Sequence, residues 1–119
     1  LISCLGDANS KTRANAAGAL GNLVRNGPFL CNELIKNHAH VKLMKLALST
    51  NHAASKQNSI FSLGTLAAFQ HSRSAIGKSS HISLEDFISY VAKSNSNDEV
   101  ALKYLNRLKN KWFAPPVDL

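Results

Sequence analysis

The stretch Asn15-Ala16-Ala17-Gly18-Ala19-Leu20-Gly21-Asn22-Leu23 returns about 43 positions later as Asn58-Ser59-Ile60-Phe61-Ser62-Leu63-Gly64-Thr65-Leu66. Its apolar skeleton returns again in Val100 to Leu108. Self-similarity at this spacing is the mark of stacked helical units, so the chain is predicted to be an all-α helical repeat array whose function lies on a surface.

A true repeat carries its whole supersecondary unit forward, and a second segment obeys the same offset. Val41, Met44 and Leu48 map onto Leu84, Phe87 and Val91, while Met44, Lys45 and Leu48 map backward onto Leu1, Ile2 and Leu5. The sequence therefore starts inside a unit. The expectation is one domain over residues 1–119, a fragment of a longer polypeptide holding about two and a half units.

The 119 residues bound a single domain with a modest core. Such arrays are stabilised by contacts between neighbours and lean on their terminal helices. No apolar run approaches the roughly 18 to 20 residues that span a bilayer, and no basic-then-apolar leader opens the chain. A soluble, intracellular, cytoplasmic chain without a membrane partner is the reading. Cys4 and Cys31 sit in apolar, helix-like surroundings without metal-ligand spacing, as expected of buried thiols in a reducing compartment.

Charge is lopsided: 14 Lys and Arg stand against 7 Asp and Glu, a net +7. No carboxylate occurs between Glu33 and Glu85, an interval holding Lys36, Lys42, Lys45, Lys56, Arg73, Lys78 and all five histidines. One stretch of the array should carry a positive field and favour an acidic partner. Exposed lysines that only keep a repeat protein soluble are the competing explanation.

Helical periodicity places long helices near 10–25, 53–69 and 98–111. Ser10 is a candidate cap before Ala16, Ala17, Leu20, Leu23 and Val24, and Asn26-Gly27-Pro28 ends that helix. Pro28 opens a short helix through Phe29, Cys31, Leu34 and Ile35. A third follows from about Val41 to Leu48. The next long helix carries Ile60, Leu63 and Leu66 inward. Arg73 to Lys78 has little apolar content and is expected to be ragged or 3₁₀. Ser83 with Glu85 and Asp86 reads as a capped start for Leu84, Phe87, Ile88 and Val91. Asp98 and Glu99 begin the last helix, and Pro115 and Pro116 stop the fold.

Gly21 and Gly64 share a repeat position inside predicted helices, where each costs about 1 kcal/mol relative to alanine. Close approach of a neighbouring helix is the expected reason. Asn106 stands there in the third unit, as suits a unit with no following neighbour. Leu20, Leu63 and Leu105 should point into the shared core. Trp112 and Phe113, expected just beyond the last helix, either fold back to seal the final core layer or contact a partner.

Asn15 to Leu23 resembles the third helix of an armadillo repeat, and the likeness extends over nearly the whole chain. It implies a right-handed armadillo-type solenoid of about two and a half repeats whose third helices line a concave groove for extended peptides or helices. Importin-type members place a Trp four residues before a groove Asn to clamp a basic peptide. Those two positions hold Gly18 and Asn22, then Phe61 and Thr65, then Lys103 and Arg107, so only Asn22 matches. A groove ending in Lys103, Arg107 and Lys111 repels a cationic peptide and should prefer an acidic one. Asn15 and Asn58 share a repeat position, and their amides either hydrogen-bond a peptide backbone, as the family's asparagine ladder does, or solvate the helices. Phe61 is either core or an exposed anchor.

Lys11 to Asn26 is also similar to the C-terminal helical repeats of Fused-type serine/threonine kinases. That resemblance implies the non-catalytic regulatory end of a kinase, kinesin-like partners, and a place in signalling, the cytoskeleton or the cilium.

Gly6, Gly18, Gly21 and Gly27 lack phosphate-loop spacing. His38 and His40 flank a helix corner, and His52, His71 and His81 lie in other turns, where surface histidines are expected and not a metal site. The acids serve helix starts and leave no carboxylate pair for acid-base work. No catalysis, cofactor or metal is expected. The leading reading is a protein-interaction and scaffold module with Asn15, Asn22, Asn58 and Thr65 as hydrogen-bonding groups, Phe61 as apolar anchor and Lys103, Arg107 and Lys111 as a cationic stripe. It would bind an acidic or amphipathic protein segment. Nucleic-acid binding through the basic surface is the alternative, weakened by missing aromatic interleaving. A structural capping end with no ligand of its own is the third.

Overall fold

The computed structural model describes residues 1–78 and 83–115. After a 3₁₀ turn at Ser3–Gly6 come α1 (Ser10–Asn26), a 3₁₀ turn at Pro28–Leu30, α2 (Cys31–Lys36) and α3 (Ala39–Ser49). Then follow α4 (Ala53–Ala67), α5 (Gln70–Lys78), α6 (Leu84–Ser94) and α7 (Glu99–Phe113). The chain is all-α.

Short polar side chains start these helices by accepting hydrogen bonds from backbone N–H groups that lack an intrahelical partner. Asn9, and not the expected Ser10, caps α1: its Oδ1 accepts from the Thr12 N–H at 3.0 Å, leaving Ser10 as the first helical residue. Ser83 and Asp98 cap α6 and α7, accepting from Asp86 and Ala101 as their sequence context predicts. Between α2 and α3 the chain turns through His38 at φ 62°, a left-handed conformation in which His is enriched.

Four expectations are corrected here. Helix α3 begins at Ala39, two residues earlier than expected, so His40 lies inside it and is buried instead of being a surface group. Gln70–Lys78 is a regular α-helix because Ile76 and Ser72 seat it on the core, and this puts His71 on a helix instead of in a turn. Leu23 turns outward and is 40% exposed, since Leu20 and Val24 already define the buried stripe of α1. Trp112 and Phe113 belong to the last turn of α7. His81 and Pro116 lie outside the described residues.

The long helices make the most extensive contacts, α1 against α4 and α4 against α7. Helix α3 packs on α4, α6 on α7 and α2 on α5. Leu20, Leu63 and Leu105 are all buried in one contiguous core with Val24, Ile60, Leu66, Phe87 and Leu108. Burying such a side chain contributes roughly 1.5 to 3 kcal/mol.

Polar bonds also tie the long helices together. Asn58 Nδ2 donates to the Ala14 carbonyl at 2.9 Å, Ser55 Oγ to Ser10 O at 3.0 Å, and Ser62 Oγ to Ala17 O. These pairs are 44 to 45 residues apart, one or two more than the repeat offset. Helical carbonyls keep a second lone pair for such bonds, and the small residues Ala14, Ala17, Gly18 and Gly21 leave the backbone of α1 bare enough to be reached. At Gly21 a Cβ would stand 2.5 Å from Ser62 Oγ and 3.1 Å from Ser62 Cα, so the packing requires glycine. At Gly64 the tightest neighbour is Arg107 Nη1 at 2.9 Å, the far end of a flexible side chain, with Leu108 Cα at 3.6 Å.

Candidate functional site

Residues on one face of α1, α4 and α7 meet around Phe61. Asn15, Gly18 and Asn22 recur at helical spacing on α1, Phe61 and Thr65 stand one turn apart on α4, and Tyr104, Arg107 and Lys111 share a face of α7. Two open recesses lie on this surface, with Phe61 common to both. One is lined by Arg25, Thr65, Ala68, Phe69, Arg107 and Lys111. The other is lined by Asn15, Gly18, Ala19, Asn22, Asn58 and Tyr104.

Seven of the eight residues singled out from the sequence therefore come together: Asn15, Asn22, Asn58, Phe61, Thr65, Arg107 and Lys111. Lys103 is exposed on α7 and lines neither recess. Asn15 and Asn22 are exposed. Asn58 is half-buried and donates an amide hydrogen to Ala14 O, so it braces α1 against α4.

Arg107 is built into the helix packing and is not a free member of a charge stripe. Its Nη1 donates to Phe61 O and its Nη2 to Thr65 Oγ1, each at 3.0 Å. Thr65 is buried and its hydroxyl donates onward to Phe61 O at 3.3 Å. The guanidinium carbon lies 4.8 Å from the Phe61 ring centroid, and that of Arg25 lies 6.0 Å from the same ring. Tyr104 completes the cluster with a tilted ring contact at 5.4 Å. Phe61 is thus neither plain core nor free anchor: it is half-buried, held between two guanidinium groups and a phenol. Cation–π attraction of this kind is worth about 0.5 to 2 kcal/mol per pair.

Burial holds the Arg107 guanidinium below its ordinary pKa, and the positive charge of Arg25 pushes in the same direction. Tyr104 acts in the opposite direction as the smallest of the three influences. Among the described residues no carboxylate lines either recess. Asp98 is turned away at the start of α7, where Gln57 Nε2 donates to its carboxylate at 3.1 Å.

Arg25 and Tyr104 escaped the sequence reading. Arg25 follows Asn22 by three residues and Tyr104 precedes Arg107 by three, so the i, i+3 rule places both on the groove face. The charge pattern instead drew attention to Lys103, four residues before Arg107, which is exposed and lines neither recess.

At the far end of α7, Trp112 is half-buried against the core and donates from Nε1 to Glu85 Oε1 at 3.2 Å, whereas Phe113 is 67% exposed. Arg73 lies over the Trp112 ring at 5.9 Å and donates to the Lys111 and Ala114 carbonyls, tying α5 to the end of α7. Trp112 thus seals the last layer and Phe113 does not. Among the described residues no group of three His, Cys, Asp or Glu side chains is placed to hold a metal ion, and no helix is long and apolar enough to cross a membrane. Burial raises the pKa of the Cys31 thiol, with Ser72 the smaller, opposing influence. That shift disfavours a nucleophilic thiolate.

No protein-family model, curated protein or solved structure matches the chain.

Proposed function

We propose that this chain is a non-catalytic protein-interaction module of a larger regulatory protein, an armadillo-type array of about two and a half repeats that binds an acidic or amphipathic segment along α1, α4 and α7. The succession of long helices in mutual contact, linked by bonds about one period apart, supports the architecture. One observation carries the functional reading: Arg25, Arg107 and Lys111 surround an aromatic platform in a recess to which, among the described residues, no carboxylate contributes. Aromatic anchors beside uncompensated cations are how surfaces take up acidic segments.

Arg107 ties α4 to α7, so the informative substitutions are at the exposed Arg25 and Lys111. The doubly reversed variant Arg25→Glu, Lys111→Glu should melt like the parent yet bind a fluorescein-labelled peptide rich in Asp and Glu at least about tenfold more weakly by anisotropy. Unchanged affinity would remove the groove from consideration. The net +7 also invites a nucleic-acid reading. A random single-stranded oligonucleotide that binds with a steep negative slope of log affinity on log salt, and displaces the acidic peptide, would favour it.

A further inference from the structure

The two recesses beside Phe61 differ in chemistry, and the difference specifies the partner more closely. On one side stand neutral amides and a phenol: Asn15, Asn22, Asn58 and Tyr104. On the other stand three cations, Arg25, Arg107 and Lys111, with no carboxylate among the described residues that line the recess. Among these, Arg107 is fixed by two hydrogen bonds to α4, one to the Phe61 carbonyl and one to the Thr65 hydroxyl. Those bonds use one N–H on each terminal nitrogen, leaving the guanidinium further N–H donors. Thr65 is a positioning residue, since its hydroxyl accepts from Arg107 and donates to Phe61 O.

Three positive charges around one shallow recess repel one another, and Arg25 and Arg107 approach the same ring. A lone carboxylate would neutralise only one of the three. A phosphate monoester carries about −1.5 to −2 charge at neutral pH and offers three acceptor oxygens, which matches a fixed guanidinium flanked by a second guanidinium and an ammonium. The neighbouring amides offer donors and acceptors suited to a peptide backbone.

Building on the acidic-segment reading above, we propose that the Arg25–Arg107–Lys111 recess takes the phosphate of a phosphoserine or phosphothreonine, whose flanking main chain crosses Phe61 onto Asn15 and Asn22. The module would then engage its partner according to the partner's phosphorylation state.

The test is anisotropy of the 119-residue chain with three fluorescein-labelled degenerate peptide pools, alike except for a central phosphoserine, glutamate or serine. The phosphoserine pool should bind at least about tenfold tighter than the glutamate pool, and Arg25→Ala and Lys111→Ala should each remove about tenfold of that affinity with melting unchanged. Thr65→Val, which frees Arg107 from its hydroxyl tether, should narrow the gap between the phosphoserine and glutamate pools while Thr65→Ser restores it. Equal binding of the phosphoserine and glutamate pools overturns the phosphate assignment and leaves the acidic-segment reading standing. Failure of all pools overturns both, and displacement of bound phosphopeptide by a random oligonucleotide at equal concentration transfers the site to nucleic acid.

Discussion

His40 shows how one residue can set a condition on the whole fold. Its ring is buried, with Nδ1 lacking a hydrogen-bond partner, and burial lowers its pKa from 6.5, with the charge of nearby His38 adding to the effect. The folded state thus holds it neutral, while the unfolded chain binds a proton more readily. Its stability contribution is intact above the unfolded value of 6.5 and is lost as pH falls toward the lower folded value. Urea midpoints should decline on acidification from about pH 7 to pH 5, and His40→Gln should flatten that decline. Equal slopes for the two proteins would show that the titration lies elsewhere.

The repeated glycines, indistinguishable by position in the sequence, should respond differently to alanine. Gly21→Ala must push Ser62 backbone away from α1 and should lose about 1 to 3 kcal/mol of stability in urea titration. Gly64→Ala meets the tip of Arg107 and no backbone closer than 3.6 Å, so it should cost less than Gly21→Ala, the gain in helix propensity of about 1 kcal/mol being set against the displaced Arg107–Phe61 hydrogen bond. The repeat made both glycines legible as packing positions; the unequal clearance depends on which side chain arrives opposite, Ser62 or Arg107, and no periodicity encodes that.

At the scale of the helix, capping chemistry and apolar spacing located the long elements to within a few residues. The misreadings share a cause. Helix α5 has little apolar content of its own, and its regularity comes from tertiary contacts: Ile76 is buried and Arg73 reaches the carbonyls of α7. The groove face was read by charge and by repeat offset, which found seven residues but substituted Lys103 for Tyr104. Helix geometry, and not charge, decides which of two adjacent residues faces a neighbour. Truncating the link between α5 and α7 with Arg73→Ala should therefore loosen the end of α7, seen as faster amide exchange in its last turn while α1 stays protected.

For the molecule as a whole, the all-helical architecture and the burial of Leu20, Leu63 and Leu105 were readable from one recurring phrase, whose equivalent leucines all enter one core. Helix α4 packs against both α1 and α7. Leu63→Ala in α4 should accordingly cost about 2 to 5 kcal/mol and lower the melting of the entire chain, more than Leu105→Ala in α7, which meets one long helix, α4, and the shorter α6.

Gln57 of α4 donates forward to the Asp98 carboxylate that caps α7, but among the described residues the bonds from side chains to main-chain carbonyls that join the long helices run one way. Ser55, Asn58 and Ser62 of α4 donate back to carbonyls of α1, and Arg107 of α7 donates back to one of α4. A ribosome releases α1 first, so every newcomer brings its own hydrogens to a lone pair already waiting on the helix before it. Growth on a finished template is built into this polarity, and a mechanical load on the C-terminal end should peel the layers off in the reverse of the order in which they were laid down.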